Sequence, residues 1–157
     1  MFWGSFYGNQ KGPALFWSRD WGTIKAESYC QRIVPLIHAA IQPIESHGPL
    51  LLMQDGAPAQ SAQRTKRELS SRGVDFIVWP SYSPDLNPIE SVWDMMKSHI
   101  EEHHPEFDSG NPSEEVLRNA VLEAWESISQ EQLATLVESM PERCQTVIRA
   151  RGGSIPY

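Results

Sequence analysis

The order of the predicted strands and helices places this chain in the α/β class. Its 157 residues are about the size of one domain, and 40% of them are hydrophobic, which is near the globular average. In the middle of the chain, predicted strands alternate with predicted helices, which is typical of a largely parallel inner sheet. We therefore expect an α/β domain with a core of its own.

Two pairs of segments have the features of β-strands. Phe2–Phe6 and Ala14–Trp17 flank a loop that contains Gly8 and Gly12, which predicts two short strands. Further along, Leu50–Met53 is a continuous apolar run and Val74–Trp79 is a second one. Short apolar runs of this kind predict strands buried on both faces.

The helices predicted between and after these strands have recognisable ends. Thr23 to Ile41 has apolar residues at mostly helical spacing, and Pro35 inside it should kink the helix because proline lacks a backbone donor. Ser61 to Ser71 predicts a second helix, closed by Gly73 in a left-handed conformation.

Pro88 to His103 carries one apolar stripe and predicts a long helix. Asn87 is expected to cap it, Pro88 takes the first helical position, and Glu90 stands where a capping box requires an acid.

A polar, turn-rich segment at 107–112 predicts a linker. Three short helices are predicted after it, namely Ser113–Ile128, Gln130–Ser139 and Pro141–Arg151. Ser139 and Glu142 resemble a capping box at the start of the last helix. We expect an α/β domain at 1–106, the linker at 107–112, and a C-terminal helical cap at 113–157 packed on the same domain.

Charge and composition exclude several classes of protein. The net charge of −7 argues against a protein that holds nucleic acid mainly through excess positive charge. No apolar run approaches the ~20 residues of a membrane span, and no secretory signal is visible. Cys30 and Cys144 lie too far apart in sequence to indicate a disulfide framework. We expect a nuclear or cytoplasmic protein that is not secreted.

One local cluster of basic residues departs from this acidic balance, formed by Arg64, Lys66, Arg67 and Arg72. These side chains could contact DNA phosphates beside a site, or they could form a solvated helix face. The sequence leaves both interpretations open.

Two carboxylates stand where an α/β fold places its ligands. Asp55 follows the run Leu50–Met53, at the carboxyl end of that predicted strand, and Glu90 lies in the first turn of a later helix. Mg²⁺ binds through one or two such carboxylates, so the pair predicts a divalent-metal site. Taken singly, Asp55 could be a turn former and Glu90 a capping-box acid.

Three segments resemble the catalytic domain of Tc/mariner transposases, in the DDE superfamily with its ribonuclease-H-like fold. They are QDGAPAQSA at 54–62, WPSYSPDLNPIESVWDMMK at 79–97, and ESMPERCQTVIRARGG at 138–153. The beginning, MFWGSF and KGPALFW, resembles the second and third strands of that family. In its Tc-like branch, 34 residues lie between the last two acidic residues, and 34 residues lie between Asp55 and Glu90 here.

The resemblance implies that Asp55 and Glu90 are catalytic and hold Mg²⁺ or Mn²⁺. The implied chemistry is cleavage and strand transfer of DNA, with transposon ends as partner, and the family allows a homodimer. Gly56 and Gln60 depart from the Asn and His that are usual in the family, which could loosen the loop of Asp55.

The first catalytic Asp of the family, and the strand that carries it, have no counterpart in the chain. We therefore expect an incomplete fold and no cleavage by this chain alone. One alternative is a non-catalytic transposon remnant that acts as a nucleic-acid-binding or protein-interaction module, and another is a longer protein that includes the missing strand.

Other chemistry-bearing residues have structural interpretations. Asp85 is expected to make backbone hydrogen bonds in its loop. Asp94 lies four residues after Glu90 on the same helix and could approach the site, but we expect it on a solvated helix face. His103 and His104 are adjacent, so they face different ways on a helix and do not indicate a metal site.

Overall fold

The computed structural model describes residues 1–43, 50–80, 83–108 and 110–156, without the side chain of Asp108. Two compact units are present: the first contains Met1 and Trp17–Ser83, and the second contains Phe2–Phe16 and Pro84–Tyr157. The predicted linker at 107–112 stays a prediction, and its Ser109 lies outside the described residues.

The described residues form two strands and eight α-helices. These are β1 (Phe2–Tyr7), β2 (Gln10–Phe16), α1 (Ala26–Arg32), α2 (Val34–Ile41), α3 (Pro58–Ser61), α4 (Gln63–Ser71), α5 (Pro88–His103), α6 (Glu114–Ser127), α7 (Gln130–Glu138) and α8 (Met140–Arg149). In the described ranges no helix is both long enough and apolar enough to cross a bilayer.

The first unit contains α1 to α4, and its core lies among them. The helix predicted from Thr23 to Ile41 is divided at Ile33 into α1 and α2, with Pro35 in the first turn of α2. This confirms the predicted interruption, because proline fits a first turn but not a helix interior. Gly73 follows α4 with a φ of +71°, which confirms the left-handed cap.

The two strands predicted in this unit form only one parallel bridge, between Leu52 and Phe76. The Leu52 N–H donates to Asp75 O at 2.8 Å, and the Ile77 N–H donates to Leu52 O at 2.9 Å. Leu51 is 58% exposed and Val78 is 84% exposed, so the prediction of strands buried on both faces is wrong. An apolar run shows that a strand can be buried, but the elements on its two faces decide whether it is.

The second unit contains the hairpin of β1 and β2 together with α5 to α8. The hairpin is antiparallel, with Phe2 opposite Phe16, which confirms the two predicted strands. A side chain at Gly4 would bring its Cβ within 3.2 Å of the rings of both Trp93 and Trp125. Glycine therefore lets the strand approach these indoles closely, and a larger residue would require the rings to shift by a few tenths of an ångström.

The core of the second unit lies between α5, α6 and α7. Its buried members are Val92, Met96, Ala124, Trp125, Ile128, Leu133 and Leu136. The predicted helices of this part of the chain are confirmed. Asn87 caps α5 through a hydrogen bond from the Ile89 N–H at 3.4 Å, and Ser113 caps α6 through one from the Val116 N–H at 3.3 Å.

Both capping boxes predicted from the sequence are wrong. At α5, the Asn87 N–H donates to the Pro84 carbonyl at 2.8 Å, so it does not need the Glu90 carboxylate. At α8, the Ser139 hydroxyl accepts a hydrogen bond from Arg143 and does not cap the helix. A reciprocal box is present instead at α7, between Ser129 and Gln132.

Candidate active site

Asp55 lies in the first unit, three residues after the bridge at Leu52. Its side chain is exposed, and its Oδ1 accepts a hydrogen bond from the Ala57 N–H at 3.0 Å. This contact is the turn-forming role that the sequence allowed for Asp55. The second oxygen, Oδ2, forms no hydrogen bond with any residue that the structure describes, so the turn role is compatible with binding a cation.

The loop that carries Asp55 is held on both sides. Before it, the hydroxyl of buried Tyr29 on α1 donates to Gln54 Oε1 at 3.0 Å. After it, the Gly56 N–H donates to Gln60 Oε1 at 3.1 Å. Gly56 and Gln60 are the two departures from the resembled family, and here they bond to each other. The φ of +76° at Gly56 would be strained for most other residues.

Glu90 lies in the second unit, in the first turn of α5. Its side chain is exposed, and among the described residues its carboxylate forms no hydrogen bond or ion pair. The partial positive charge at a helix N-terminus favours a negative group in this position. Glu90 is thus a carboxylate oxygen donor with which no Lys, Arg or His of the described residues forms an ion pair.

Asp55 and Glu90 belong to different units, and each carboxylate is described within its own. Their convergence on one metal ion therefore stays a prediction from the sequence. In the described ranges, no group of three or more His, Cys, Asp or Glu side chains is arranged to hold a metal.

The turn before α5 is held by Asp85, as the sequence predicted. Its Oδ1 accepts from the Leu86 N–H at 3.1 Å, and its Oδ2 accepts from the Ile155 N–H at 3.0 Å. Ile155 is only 5% exposed, so this contact joins a buried part of the C-terminal segment to the turn.

Arg143 is the residue of this region that the sequence analysis did not identify. It lies on α8 with only 3% of its surface exposed, and it donates to the backbone carbonyl of Asp85 at 2.9 Å and to Ser91 Oγ at 3.3 Å. Arginine on a short helix is usually solvated, so residue type did not indicate burial. The one available signal was its position inside the family-like segment 138–153.

The predicted DNA-contacting residues lie on or just after α4. Arg64 forms an ion pair with Glu27 at 3.5 Å, and Arg72 forms one with Glu68 at 2.8 Å. Arg67 is exposed and Lys66 is half-buried. Contact of this cluster with DNA stays a prediction, and any DNA phosphate would compete with two carboxylates.

His103 and His104 have different neighbours, in agreement with the sequence interpretation. The ring of His103 stacks on His99 at 4.1 Å, whereas His104 lies near Glu123 at 3.3 Å. Hydrogen bonds from His99 and, to a smaller extent, His104 lower the pKa of Glu123 below its ordinary value.

Residues 19–111 match the DDE superfamily endonucleases. The chain belongs to this family. It is 36% identical over 107 residues to the transposable element Tcb2 transposase of Caenorhabditis briggsae, an alignment that covers 68% of the chain and 37% of that protein. It is 29% identical over all 157 residues to the Tc3 transposase of Caenorhabditis elegans and spans 45% of it. The domain thus spans less than half the length of these relatives.

The fold of this DDE endonuclease domain is similar to that of the Mos1 mariner transposase catalytic domain. The TM-score is 0.81 at 18% identity, and the match covers 99% of the chain and 75% of the solved domain. The ribonuclease-H-like fold expected from the resemblance is confirmed, and so is the relation to Tc/mariner transposases.

Proposed function

We propose that this transposase-derived DDE domain contributes Asp55 and Glu90 to a divalent-metal site that cleaves and joins DNA phosphodiester bonds. Membership of the endonuclease family supports the chemistry, and the spacing of the two acids supports their roles. The observation that carries the proposal is the exposed carboxylate of Glu90, which forms no hydrogen bond or ion pair with any described residue.

The donor chemistry of the two residues fits Mg²⁺ or Mn²⁺. Both are carboxylate oxygens, which these hard cations prefer. Mos1 catalytic-domain structures have been solved with raltegravir and Mg and with raltegravir and Mn. When bound, such ions activate the attacking oxygen and stabilise the leaving one in phosphoryl transfer.

Within the site, we assign separate tasks to the protein groups. The turn at Gly56 orients Asp55, because the Ala57 N–H donates a hydrogen bond to Oδ1 of the carboxylate. The other oxygen, Oδ2, is left for a cation. The Asn87 cap fixes the backbone from which Glu90 projects, since the Glu90 N–H donates to the Asn87 carbonyl at 3.1 Å.

The proposed substrate is transposon-end DNA, and the proposed active form is a homodimer. Mos1 has been crystallised in a paired-end complex with its left transposon end. We infer that the 157-residue chain alone does not cleave DNA, because the segments that resemble the family supply its second and third acidic residues, Asp55 and Glu90.

A second candidate is a non-catalytic interaction module. It is favoured by apolar exposure in the first unit, where Leu51 is 58% and Val78 is 84% exposed. In this candidate function, Leu51 and Val78 belong to the apolar surface that contacts the partner. This function requires neither Asp55 nor Glu90 to bind a cation.

A Mn²⁺ titration followed by paramagnetic broadening of NMR signals separates the two candidates. For the metal site, we expect selective broadening at Asp55 and Glu90, and an affinity at least about tenfold weaker in Asp55→Asn and in Glu90→Gln. Asp94→Asn is the matched control, because Asp94 is an exposed acid on α5 that pairs with Lys97. Equal broadening in all three variants would contradict the metal site.

DNA cleavage is tested directly with terminal-repeat DNA and Mg²⁺ or Mn²⁺. We expect no nicking by the 157-residue chain. If the chain nicks DNA in a metal-dependent way and Asp55→Asn abolishes the nicking, the expectation of inactivity is wrong and the 157 residues suffice for cleavage.

A further inference from the structure

We propose that Arg143 is a positioning residue that fixes the first turn of α5, and with it the Glu90 carboxylate. The inference rests on the metal-binding function proposed above. In the proposed role, Arg143 acts on Glu90 through the Asp85 carbonyl before it and the Ser91 hydroxyl after it.

The guanidinium group joins the two ends of the segment that carries Glu90. Its Nη1 donates to the backbone carbonyl of Asp85 at 2.9 Å, five residues before Glu90. Its Nη2 donates to Ser91 Oγ at 3.3 Å, one residue after Glu90. A single planar group therefore ties the turn to the helix that follows it.

The third donor of Arg143 holds the guanidinium itself in place. Its Nε donates to Ser139 Oγ at 2.9 Å, and the Ser139 hydroxyl donates to the Leu136 carbonyl at 2.7 Å. Ser139 is the residue at which α7 ends and α8 begins. The position of the Glu90 segment thus depends on the junction between two other helices.

A second connection reaches the same turn from the C-terminal segment. The Asp85 carboxylate accepts from Ile155 as well as from Leu86, and Ile155 is buried. The backbone carbonyl of Asp85 binds Arg143 and its side chain binds Ile155. The turn before Glu90 is consequently held through both the backbone carbonyl and the side chain of Asp85. These contacts restrict the movement of the first turn of α5, which follows directly.

The geometry requires arginine. The planar guanidinium group of arginine has N–H donors in several fixed directions, whereas lysine has a single ammonium group at the end of a flexible aliphatic chain. Lysine at 143 would keep the positive charge but could not reach Asp85, Ser91 and Ser139 together. Arg149 gives a matched control on the same helix, because it is 67% exposed and pairs with Glu142 at 3.0 Å.

The test compares Arg143→Lys, Ser91→Ala and Arg149→Lys in the full 157-residue protein. Amide hydrogen exchange without metal is measured first. We expect Arg143→Lys to speed exchange at Leu86, Asn87 and Glu90 by about tenfold, since hydrogen bonds to charged groups are lost there. Ser91→Ala removes one acceptor and leaves the core unchanged, so it should speed exchange at the same amides to a smaller extent.

Arg149→Lys should leave these amides unchanged. Uniform acceleration across the second unit in Arg143→Lys, with no effect of Ser91→Ala, would overturn the positioning role. If Arg143→Lys does not fold, Ser91→Ala decides alone, and unchanged exchange at Glu90 in that variant contradicts the proposal.

Mn²⁺ broadening at Glu90 is measured second, and it separates this inference from the proposed function. Absence of broadening in the unsubstituted protein would contradict metal binding at Glu90. If the Mn²⁺ concentration at the midpoint of broadening is the same in Arg143→Lys as in the unsubstituted protein, the positioning role is wrong. We expect broadening in the unsubstituted protein and a higher Mn²⁺ midpoint in Arg143→Lys than in Arg149→Lys.

Discussion

Replacing Asp85 with asparagine would keep the shape of the side chain but replace one of its two carboxylate oxygens, a hydrogen-bond acceptor, with an NH₂ group, a donor. The carboxylate accepts from the Leu86 N–H at 3.1 Å and from the Ile155 N–H at 3.0 Å. An amide can accept only one of these bonds, and its NH₂ group then faces the other N–H. The contact of Arg143 with the Asp85 carbonyl remains, because it uses the backbone.

The size of the effect follows from the loss of one charge-assisted hydrogen bond, which contributes about 1.5–3 kcal/mol. Asp85 is half-buried, so we expect the lower end, about 1.5 kcal/mol, which corresponds to a fall in Tm of about 3–6 °C for a chain of this length. Thermal unfolding followed by circular dichroism measures the change.

The control for Asp85→Asn is Asp94→Asn, which changes an exposed acid on α5 and should alter stability by no more than about 0.5 kcal/mol. Faster amide exchange at Ile155 in Asp85→Asn alone would locate the loss at the predicted contact. If the two variants unfold at the same temperature, the reasoning about the turn before Glu90 is wrong.

Two further predictions concern the packing and the charges of the second unit. Leu133→Ala removes a side chain that is 1% exposed, and urea unfolding should show a loss of about 2–5 kcal/mol, whereas Leu122→Ala at a 43% exposed position should cost far less. The lowered pKa of Glu123 means that its ionised form is favoured in the folded state by His99 and His104. Glu123→Gln should therefore lower Tm at pH 6, above the unfolded pKa of about 4.3, and the difference should vanish as the pH falls through the folded pKa. An equal difference in Tm at pH 6 and pH 3 would contradict this assignment.

Local sequence was sufficient for the helices because their signals are local. Asn87 and Ser113 cap backbone groups within one turn, and Pro88 fits the first helical position, so the starts of α5 and α6 could be predicted. Pro35 interrupts its helix for an equally local reason, the missing backbone donor. Element type and position therefore followed from short stretches of the chain.

Features that depend on distant groups could not be predicted in this way. The burial of Leu50–Met53 depends on what covers its faces, and two capping boxes failed because Pro84 and Arg143 already bond the groups that a box would use. For the candidate site, the residue types and spacing predicted Asp55 and Glu90. The burial of Arg143 could not be predicted, because its hydrogen bonds to Asp85 and Ser91 join residues more than 50 positions apart, which no local pattern contains.

The single bridge between Leu52 and Phe76 has a practical consequence for handling the protein. Beside it, Leu51 and Val78 present aliphatic surface to solvent. Attraction between aliphatic groups weakens on cooling, because their hydration carries a large heat capacity. Concentrated samples should accordingly stay clear for longer on ice than on the bench, and clouding on warming would begin from these exposed side chains of the first unit.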